Sequence, residues 1–406
     1  QWSRIHTQGV TLDNCIFCGN ALNPGSGEHV FLSALGRGVT TKRATCGKCN
    51  NDFATVATGK IDDDLAEVFI VVRNALQIWT GRGQHPPSIQ KAGKFPDGSD
   101  FDLAPGMVPV IRPATIPALT ARPAGSEIII AHPSDDDARR VVEIAQKRGF
   151  ELQLVHTEHV HPQALTIKFS VGLGGASSFR SVAKICALAS CVLFGNSQAR
   201  AHLDPVLLSA IKTDEPDICH YVGWDHVNEW PLVIQERPHS TTPNARASGF
   251  EHSVLFADVG DQWVGYVTIF GGFRFSVHLG GRSGLPPGGM AINPRARAGS
   301  RFEVTIQPPA RYTRRRPSSC TEEFSQTAQA MQAGLSKVMC VWKDESQRED
   351  VDRLSKELAA RIEATAPEER EEVIRRWCEE LLAVELGDGW REEISATALA
   401  NENEPA

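Results

Sequence analysis

Four cysteines near the start of the chain lie in two short pairs, Cys15-Ile-Phe-Cys18 and Cys46-Gly-Lys-Cys49. Each pair can present two thiolates from one tight turn, and two such pairs supply the four ligands of a tetrahedral zinc ion. The dipeptide Glu28-His29 lies between the pairs, and Asn50 follows the last cysteine directly. A carboxylate, an imidazole and an amide held close together are groups that a second, hydrolytic metal centre could use.

The doubled CxxC spacing favours a structural zinc site bound by Cys15, Cys18, Cys46 and Cys49. The alternatives are a redox motif and chance, but a redox CxxC normally occurs singly at a helix start in a larger α/β pattern. Residues 1–60 are rich in Cys and Gly, and a unit of that size hardly folds without a stabilising metal ion or cross-link. We therefore predict Zn²⁺ as a structural cofactor.

The elements that must position these residues form a mixed α+β pattern. An amphipathic stretch follows the cysteine pairs, with Ile61, Leu65 and Val72 at helical spacing and Asp62 in its first turn. We expect this stretch to be a helix that docks the zinc unit onto the rest of the chain.

Composition and periodicity divide the rest of the chain after residue 80 into three regions. We predict a Pro/Gly-rich linker or extended segment at 81–125, a mixed α/β domain at 126–310 and a helical region at 311–406. The mixed domain should contain an apolar central helix at 178–194 and an antiparallel meander. Its predicted strands are 127–131, 151–156, 165–171, 252–258, 262–270, 273–279 and an edge strand at 301–307, with a further helix at 134–148. The C-terminal helices are predicted at 322–338, 345–364 and 368–384.

Bulk properties limit the class of protein. A chain of 406 residues is expected to form two or three domains, and its net charge of −7 excludes a protein that coats nucleic acid by overall attraction. The longest apolar run, 182–194, contains Lys184 and is too short to span a bilayer, so we expect a buried helix and no membrane contact. Six further cysteines show no framework spacing, which favours reduced thiols and a cytoplasmic location.

The residues around the cysteine pairs resemble a known family. The run Ser26-Gly27-Glu28-His29-Val30-Phe31, followed by Leu35-Gly36 and then by Cys49-Asn50-Asn51-Asp52-Phe53, is similar to zinc-stapled members of the HNH endonuclease family. The resemblance covers residues 10–65. It implies that residues 1–80 form a ββα-metal nuclease domain, in which the acidic-His dipeptide ends the first strand and a short helix begins at the second cysteine pair.

The resemblance also implies roles for three residues. His29 is expected to be the general base, while Glu28 and Asn50 help to hold a catalytic Mg²⁺ or Mn²⁺. The chemistry agrees, since imidazole has a pKa suited to deprotonating water near neutral pH and hard oxygen ligands suit these cations. The implied reaction is metal-dependent cleavage of DNA that leaves 5′-phosphate and 3′-hydroxyl ends.

One feature departs from the family pattern. The family has an Asn in the loop before the second cysteine pair, whereas this chain reads Val39-Thr40-Thr41-Lys42-Arg43. Thr40, Thr41 or a backbone carbonyl could accept the hydrogen bond that orients the imidazole. Alternatively, His29 is a structural histidine and Glu28 a solvated carboxylate, in a catalytically lapsed, zinc-stabilised module that binds nucleic acid or protein.

Basic residues supply candidate phosphate contacts. Lys42, Arg43 and Lys48 lie close to the cysteine pairs in sequence and could contact flanking phosphates. The densest basic region includes Arg311, Arg314, Arg315 and Arg316. It could follow a nucleic-acid backbone, but a solvated loop or a site for an acidic partner explains it equally well.

The resemblance implies a biological setting. A short nuclease module joined to a long chain is typical of effectors in prokaryotic restriction and anti-phage defence. The expected partners are DNA and either a nucleotide signal or a regulatory, guide-carrying protein.

Overall fold

A computed structural model gives the fold of the chain. It describes residues 14–22, 27–36, 38–53, 61–94, 100–111, 139, 142–143, 145–147, 149, 175–213, 215, 217–225, 229–238, 249–295, 301–313 and 320–386. The chain forms two compact units, Gln1–Val338 and Met339–Ala406. The protein is mixed α and β with antiparallel sheets, as the sequence predicted.

Three antiparallel sheets contain the strands of the described residues. In chain order the strands are β1 (Glu28–His29), β2 (Thr40–Thr41), β3 (Ile89–Lys94), β4 (Asp100–Ala104), β5 (Val108–Ile111), β6 (Val222–Trp224), β7 (Leu232–Pro238), β8 (His252–Val259), β9 (Gln262–Ile269), β10 (Phe273–Gly281), β11 (Gly288–Ile292) and β12 (Arg301–Gln307).

The α-helices of the described residues fall into three groups. They are α1 (Gly47–Phe53), α2 (Ile61–Val68) and α3 (Ile70–Ala75), then α4 (Gly175–Phe194), α5 (Asn196–His202) and α6 (Pro205–Thr213), and finally α7 (Cys320–Ala364) and α8 (Arg370–Leu386).

The largest sheet has seven strands in the order β6-β10-β9-β8-β11-β12-β7. The predicted meander is confirmed as β8, β9 and β10, each paired antiparallel with its neighbour. Gly271 has a φ of 66°, a backbone conformation that favours glycine in the tight turn between β9 and β10. The predicted edge position of 301–307 is wrong, because β12 lies between β11 and β7.

Helix α4 packs against this sheet and forms the centre of the core. All of its side chains from Ser178 to Cys191 are buried. A β-carbon on Gly265 of β9 would lie 2.7 Å from the Cys186 sulfur, so the close approach of strand and helix requires glycine there. At 20 residues α4 is long and apolar enough to cross a membrane, contrary to the shorter run expected from sequence. However, 78% of its apolar 18-residue window is buried inside the protein. The predicted buried helix is confirmed.

The region 81–125 contains more structure than a linker. In its described part, β3, β4 and β5 form a three-stranded antiparallel sheet around the buried side chains of Phe101 and Leu103. Of the predicted helix 134–148, residues 139, 142–143 and 145–147 are helical. The predicted strands 127–131, 151–156 and 165–171 lie outside the described residues.

The C-terminal region is helical, with one difference from the prediction. The two helices predicted at 322–338 and 345–364 form one helix, α7, of 45 residues. Pro367 lies at the start of the 3-10 turn that precedes α8. The cysteines outside the N-terminal pairs include free thiols at Cys186, Cys191, Cys340 and Cys378, whereas Cys219 is disulfide-bonded, an exception to the expected reduced state.

Candidate functional site

The N-terminal elements follow the order β1, β2, α1 between and after the cysteine pairs. Glu28 pairs with Thr41 and His29 with Thr40 in an antiparallel hairpin. Helix α1 begins immediately after Cys46, and the backbone N–H of Asn50 donates to the Cys46 carbonyl at 3.0 Å. The hairpin therefore lies between the two cysteine pairs, and the helix begins within the second pair.

The four cysteine sulfurs converge on one point. The sulfurs of Cys15, Cys18, Cys46 and Cys49 all lie within 4.8 Å of one another. The Cys18 and Cys46 sulfurs are 3.7 Å apart. A tetrahedral ion with Zn–S bonds of about 2.3 Å places its sulfurs roughly 3.8 Å apart, so these residues fit a structural zinc ion. We call this group the cysteine cluster.

Backbone hydrogen bonds shape the two turns that carry these sulfurs. Gly19 has a φ of 76° and donates to the Cys15 carbonyl at 2.8 Å, which closes the first turn. The N–H of Ile16 donates to the carbonyl of Ala44 at 2.8 Å and joins the first turn to the segment before the second. The N–H of Cys49 points at the Cys46 sulfur at 3.5 Å. The cluster is thus held by the local backbone of both pairs.

Contacts within the cluster and burial shift the pKa values of its thiols in different directions. The hydrogen bond from Cys49 lowers the pKa of Cys15 to about 4, and the same contact raises the pKa of Cys49. Burial raises the pKa of Cys18. A bound dication would stabilise the thiolate form of these ligands.

Helix α5 supports the cysteine cluster from outside the N-terminal elements. The Asn196 side-chain amide donates to the Arg43 carbonyl at 2.9 Å and also to the carbonyl of Asn14. Arg200 donates from Nη1 to the Cys15 carbonyl at 2.7 Å. These bonds satisfy loop carbonyls beside the metal ligands.

A second charged group lies on the inner side of the hairpin. The Lys184 ammonium of α4 is 2.7 Å from Oε1 of Glu28 and 2.6 Å from Oδ2 of Asp62. Ser181 donates to Oδ1 of Asp62 at 3.0 Å, and the ammonium lies 4.8 Å from the centre of the Phe53 ring. We call Glu28, Asp62 and Lys184 the ammonium cluster.

Burial makes the ammonium cluster unusual. The side chains of Lys184 and Glu28 are 1% and 7% exposed, whereas that of Asp62 is 29% exposed and gives the cluster its contact with water. Burial raises the pKa of Glu28, and Lys184 offsets part of that rise. For Lys184, burial opposes the charge, but the two carboxylates outweigh it and raise the pKa. The ammonium therefore remains charged and joins β1, α2 and α4.

His29 points away from the ammonium cluster because successive side chains on a strand face opposite sides. Its ring is half-buried, and its buried Nδ1 makes no hydrogen bond among the described residues. A β-carbon on Gly81 would lie 3.3 Å from Cε1 of His29, so the backbone at Gly81 packs against the ring. Burial lowers the pKa of His29, and the charges of Arg82 and Lys184 lower it further. The imidazole is therefore neutral near pH 7.

The other predicted catalytic and orienting residues make fewer contacts. Asn50 lies on α1, and within the described part of the chain no hydrogen bond joins its side chain to Glu28 or His29. Thr41 accepts a hydrogen bond from the N–H of Arg43 at 3.2 Å rather than one from His29. The orienting hydrogen bond expected from Thr40 or Thr41 is therefore not formed to Nδ1.

The predicted basic residues that are described lie at the surface. Lys42, Arg43, Lys48 and Arg311 are exposed, as phosphate contacts must be. Arg314, Arg315 and Arg316 lie outside the described residues.

Glu28 and Asn50 were expected to bind a catalytic divalent cation, but Glu28 is paired with Lys184 and no hydrogen bond joins Asn50 to it within the described residues. Two carboxylates, Glu28 and Asp62, converge on one positively charged point, and their hard oxygens suit Mg²⁺ or Mn²⁺. The Lys184 ammonium holds that point, so Glu28 is bound to a cation of the chain itself. Among the described residues, the cysteine cluster is the one group of three or more Cys, His, Asp or Glu side chains with converging ligand atoms.

Sequence reasoning missed Lys184 as a partner of Glu28 and Asp62. The available signal was the position of a lysine within the apolar run 182–194, since a buried ammonium requires opposite charges nearby. That signal predicts an ion pair but does not identify the carboxylates.

Comparisons of the chain with protein-family models, with curated proteins and with solved structures give no match.

Proposed function

We propose that this chain is a metal-dependent endonuclease of the HNH type that hydrolyses phosphodiester bonds in DNA. The observation that carries the proposal is the position of His29, half-buried on the hairpin between the two cysteine pairs and directly after Glu28 in the sequence. The order β1, β2, α1 around four converging sulfurs supports the same proposal.

His29 is the proposed general base. A base must be unprotonated before it accepts a proton from the attacking water, and the lowered pKa of His29 keeps its imidazole neutral near pH 7. The ring is fixed by the packing of Gly81 and by the pairing of β1 with β2 rather than by a hydrogen bond to Nδ1.

Glu28 and Asn50 are the proposed ligands of Mg²⁺ or Mn²⁺, and Asp62 is the carboxylate that accompanies Glu28. A divalent cation bound there would neutralise charge on the scissile phosphate and on the departing oxygen. Exposed Lys42, Arg43 and Lys48 would contact flanking phosphates.

With this activity, the protein would act in the cytoplasm as the effector of a prokaryotic anti-phage or restriction system. Its trigger would be a nucleotide signal or a guide-carrying protein.

One observation favours a second function. Glu28 is bound to Lys184 and is almost fully buried, so a divalent cation must compete with an ammonium ion for it. In the alternative, the ammonium cluster is permanent and the chain is a zinc-stabilised module that binds nucleic acid or protein without cleaving it.

Plasmid nicking separates the two functions. Full-length, zinc-loaded protein is incubated with supercoiled plasmid and Mg²⁺ or Mn²⁺, alongside His29→Ala and the matched control His220→Ala, which replaces an exposed histidine of another element. Loss of a general base lowers the rate by roughly 100-fold or more, so the endonuclease requires nicking by wild type and His220→Ala but not by His29→Ala. Plasmid binding without nicking by any of the three supports the module.

A further inference from the structure

Residues 79–85 form an ordered loop between α3 and β3. The N–H of Thr80 donates to the Gln84 carbonyl at 3.0 Å, and the N–H of Gly83 donates to the Thr80 carbonyl at 2.8 Å. The Thr80 hydroxyl accepts from the N–H of Gln84 at 3.0 Å. The N–H of Gly81 donates to the Ser33 carbonyl at 2.7 Å and ties the loop to the segment between β1 and β2. We call these residues the 79–85 loop.

The 79–85 loop presents an aromatic surface to water. The Trp79 side chain is 46% exposed and packs on the His85 ring, with the ring centres 4.3 Å apart. Tryptophan is enriched at binding interfaces, because its ring combines a large apolar face with a polar N–H group. Nucleic-acid bases stack on such rings without regard to sequence.

The 79–85 loop carries one positive charge, that of Arg82. The loop itself contains no Asp or Glu, in a chain whose net charge is −7, whereas Lys91 and Lys94 of β3 lie beside Asp100 and Asp102 of β4. Arg82 is exposed and follows Gly81, which packs against the His29 ring. The charge of Arg82 therefore acts on the imidazole that the proposed reaction uses, and Trp79 lies three residues before Arg82 in the same loop. This combination fits a nucleic-acid strand better than an acidic protein, because it offers both a phosphate contact and a base contact.

We propose that the 79–85 loop binds the substrate strand beside His29, with Arg82 on the phosphate backbone and the exposed face of Trp79 stacked on an unpaired base. Stacking on Trp79 needs a base face that an intact duplex does not offer. The loop therefore gives the protein a preference for single-stranded or locally unpaired DNA. The proposal rests on the proposed function for the identity of its ligand, although it concerns binding and not cleavage.

The test is fluorescence anisotropy of a labelled oligonucleotide, single-stranded or annealed to its complement, with zinc-loaded full-length protein and no added Mg²⁺ or Mn²⁺. The variants are Trp79→Ala, Arg82→Gln and Arg82→Lys. The controls are Leu232→Ala and Arg237→Gln, which alter an exposed apolar and an exposed basic residue of β7. Circular dichroism and zinc content establish that each variant is folded.

We expect Trp79→Ala to weaken binding of the single strand about tenfold and to leave duplex binding unchanged. Arg82→Gln should weaken binding of the single strand and of the duplex. It should also reduce the slope of the logarithm of the binding constant against the logarithm of the salt concentration by about 0.7 for the single strand. Arg82→Lys should preserve that slope. Equal binding by wild type and Trp79→Ala, or no measurable binding of either DNA by wild type, overturns the proposal. If Trp79→Ala weakens single-strand binding but the wild type does not nick plasmid, the proposed endonuclease activity is rejected and the proposed binding by the loop is retained.

Discussion

The cysteine cluster and the ammonium cluster both fix the β1–β2–α1 elements, but they differ in the source of their positive charge. The cysteine cluster gathers four sulfurs from two tight turns and fits an ion taken from solution. The ammonium cluster gathers two carboxylates around Lys184, a cation of the chain itself. The first can form as soon as the local turns form, whereas the second exists only after α4 has docked against β1 and α2.

This difference has consequences for stability and for function. A metal site supplies folding free energy to a small unit that has little core of its own. A buried ion cluster contributes little net stability, because desolvation offsets most of its attraction, but removal of one member leaves an unpaired buried charge. We therefore expect the two clusters to respond very differently to the loss of one residue.

The largest effect is expected from Cys46→Ser. Loss of a ligand removes most of the zinc-binding free energy, which is about 10 kcal/mol or more in small zinc domains, so the N-terminal elements should unfold. Zinc per chain and limited proteolysis measure this. The matched control is Cys340→Ser, which replaces an exposed free cysteine and should retain both zinc and protection. A Cys46→Ser protein with full zinc content would show that the cysteine cluster is not the metal site.

The next largest effect is expected from Lys184→Met. Buried Glu28 and partly exposed Asp62 would lose their partner, which costs about 3–5 kcal/mol in the free energy of unfolding measured with urea. Lys91→Met, at an exposed lysine, is the control and should change little. The triple variant Lys184→Met/Glu28→Gln/Asp62→Asn should recover much of the loss, since no charge remains unpaired. Failure of this recovery would mean that the ammonium cluster contributes strong net attraction.

An uncharged histidine also joins the N-terminal elements to the large sheet, and it predicts that stability depends on pH. His252 of β8 is fully buried, lies 3.0 Å through Nε2 from the Leu35 carbonyl and accepts from the N–H of Phe270 at 3.0 Å. Burial lowers the pKa of His252 to about 4. As the pH falls, His252 is therefore protonated in the unfolded chain from about pH 6.5, while it remains neutral in the folded protein.

Stability from this histidine is complete above pH 6.5 and is lost progressively toward pH 4. The loss should total about 3 kcal/mol, measured by urea unfolding across that range. His252→Gln removes the titrating group and should flatten this part of the profile, although it lowers stability at neutral pH. An unchanged slope in His252→Gln would assign the pH dependence to other groups.

The smallest effect is expected from Arg200→Ala. The change removes the hydrogen bond to the Cys15 carbonyl and should cost about 1 kcal/mol, because the arginine is exposed and water can replace it. Zinc transfer to a chromogenic chelator should be several-fold faster than in wild type. Gln198→Ala, at an exposed position of the same helix, should release zinc at the wild-type rate. An unchanged release rate in Arg200→Ala would mean that α5 does not stabilise the metal site.

The fold was predicted best where the pattern is local. The meander of β8, β9 and β10 follows from alternating residues and a Gly-Gly turn, and the apolar run of α4 predicts its burial. The interior position of β12 was not predicted, because no strand was predicted at 232–238 and its pairing with β12 joins segments far apart in the chain. The single helix α7 was divided in the prediction because polar residues weaken its periodicity.

The sequence by itself determined the cysteine cluster. Two CxxC turns each preset a pair of sulfurs, and the short segment between them has room for little more than the hairpin that β1 and β2 form. Only the tertiary structure decided what Glu28 contacts, because Lys184 lies 122 residues from Asp62 and farther still from Glu28. Side-chain spacing along a turn is fixed by covalent geometry, whereas the partner of a buried charge depends on which helix packs against the strand.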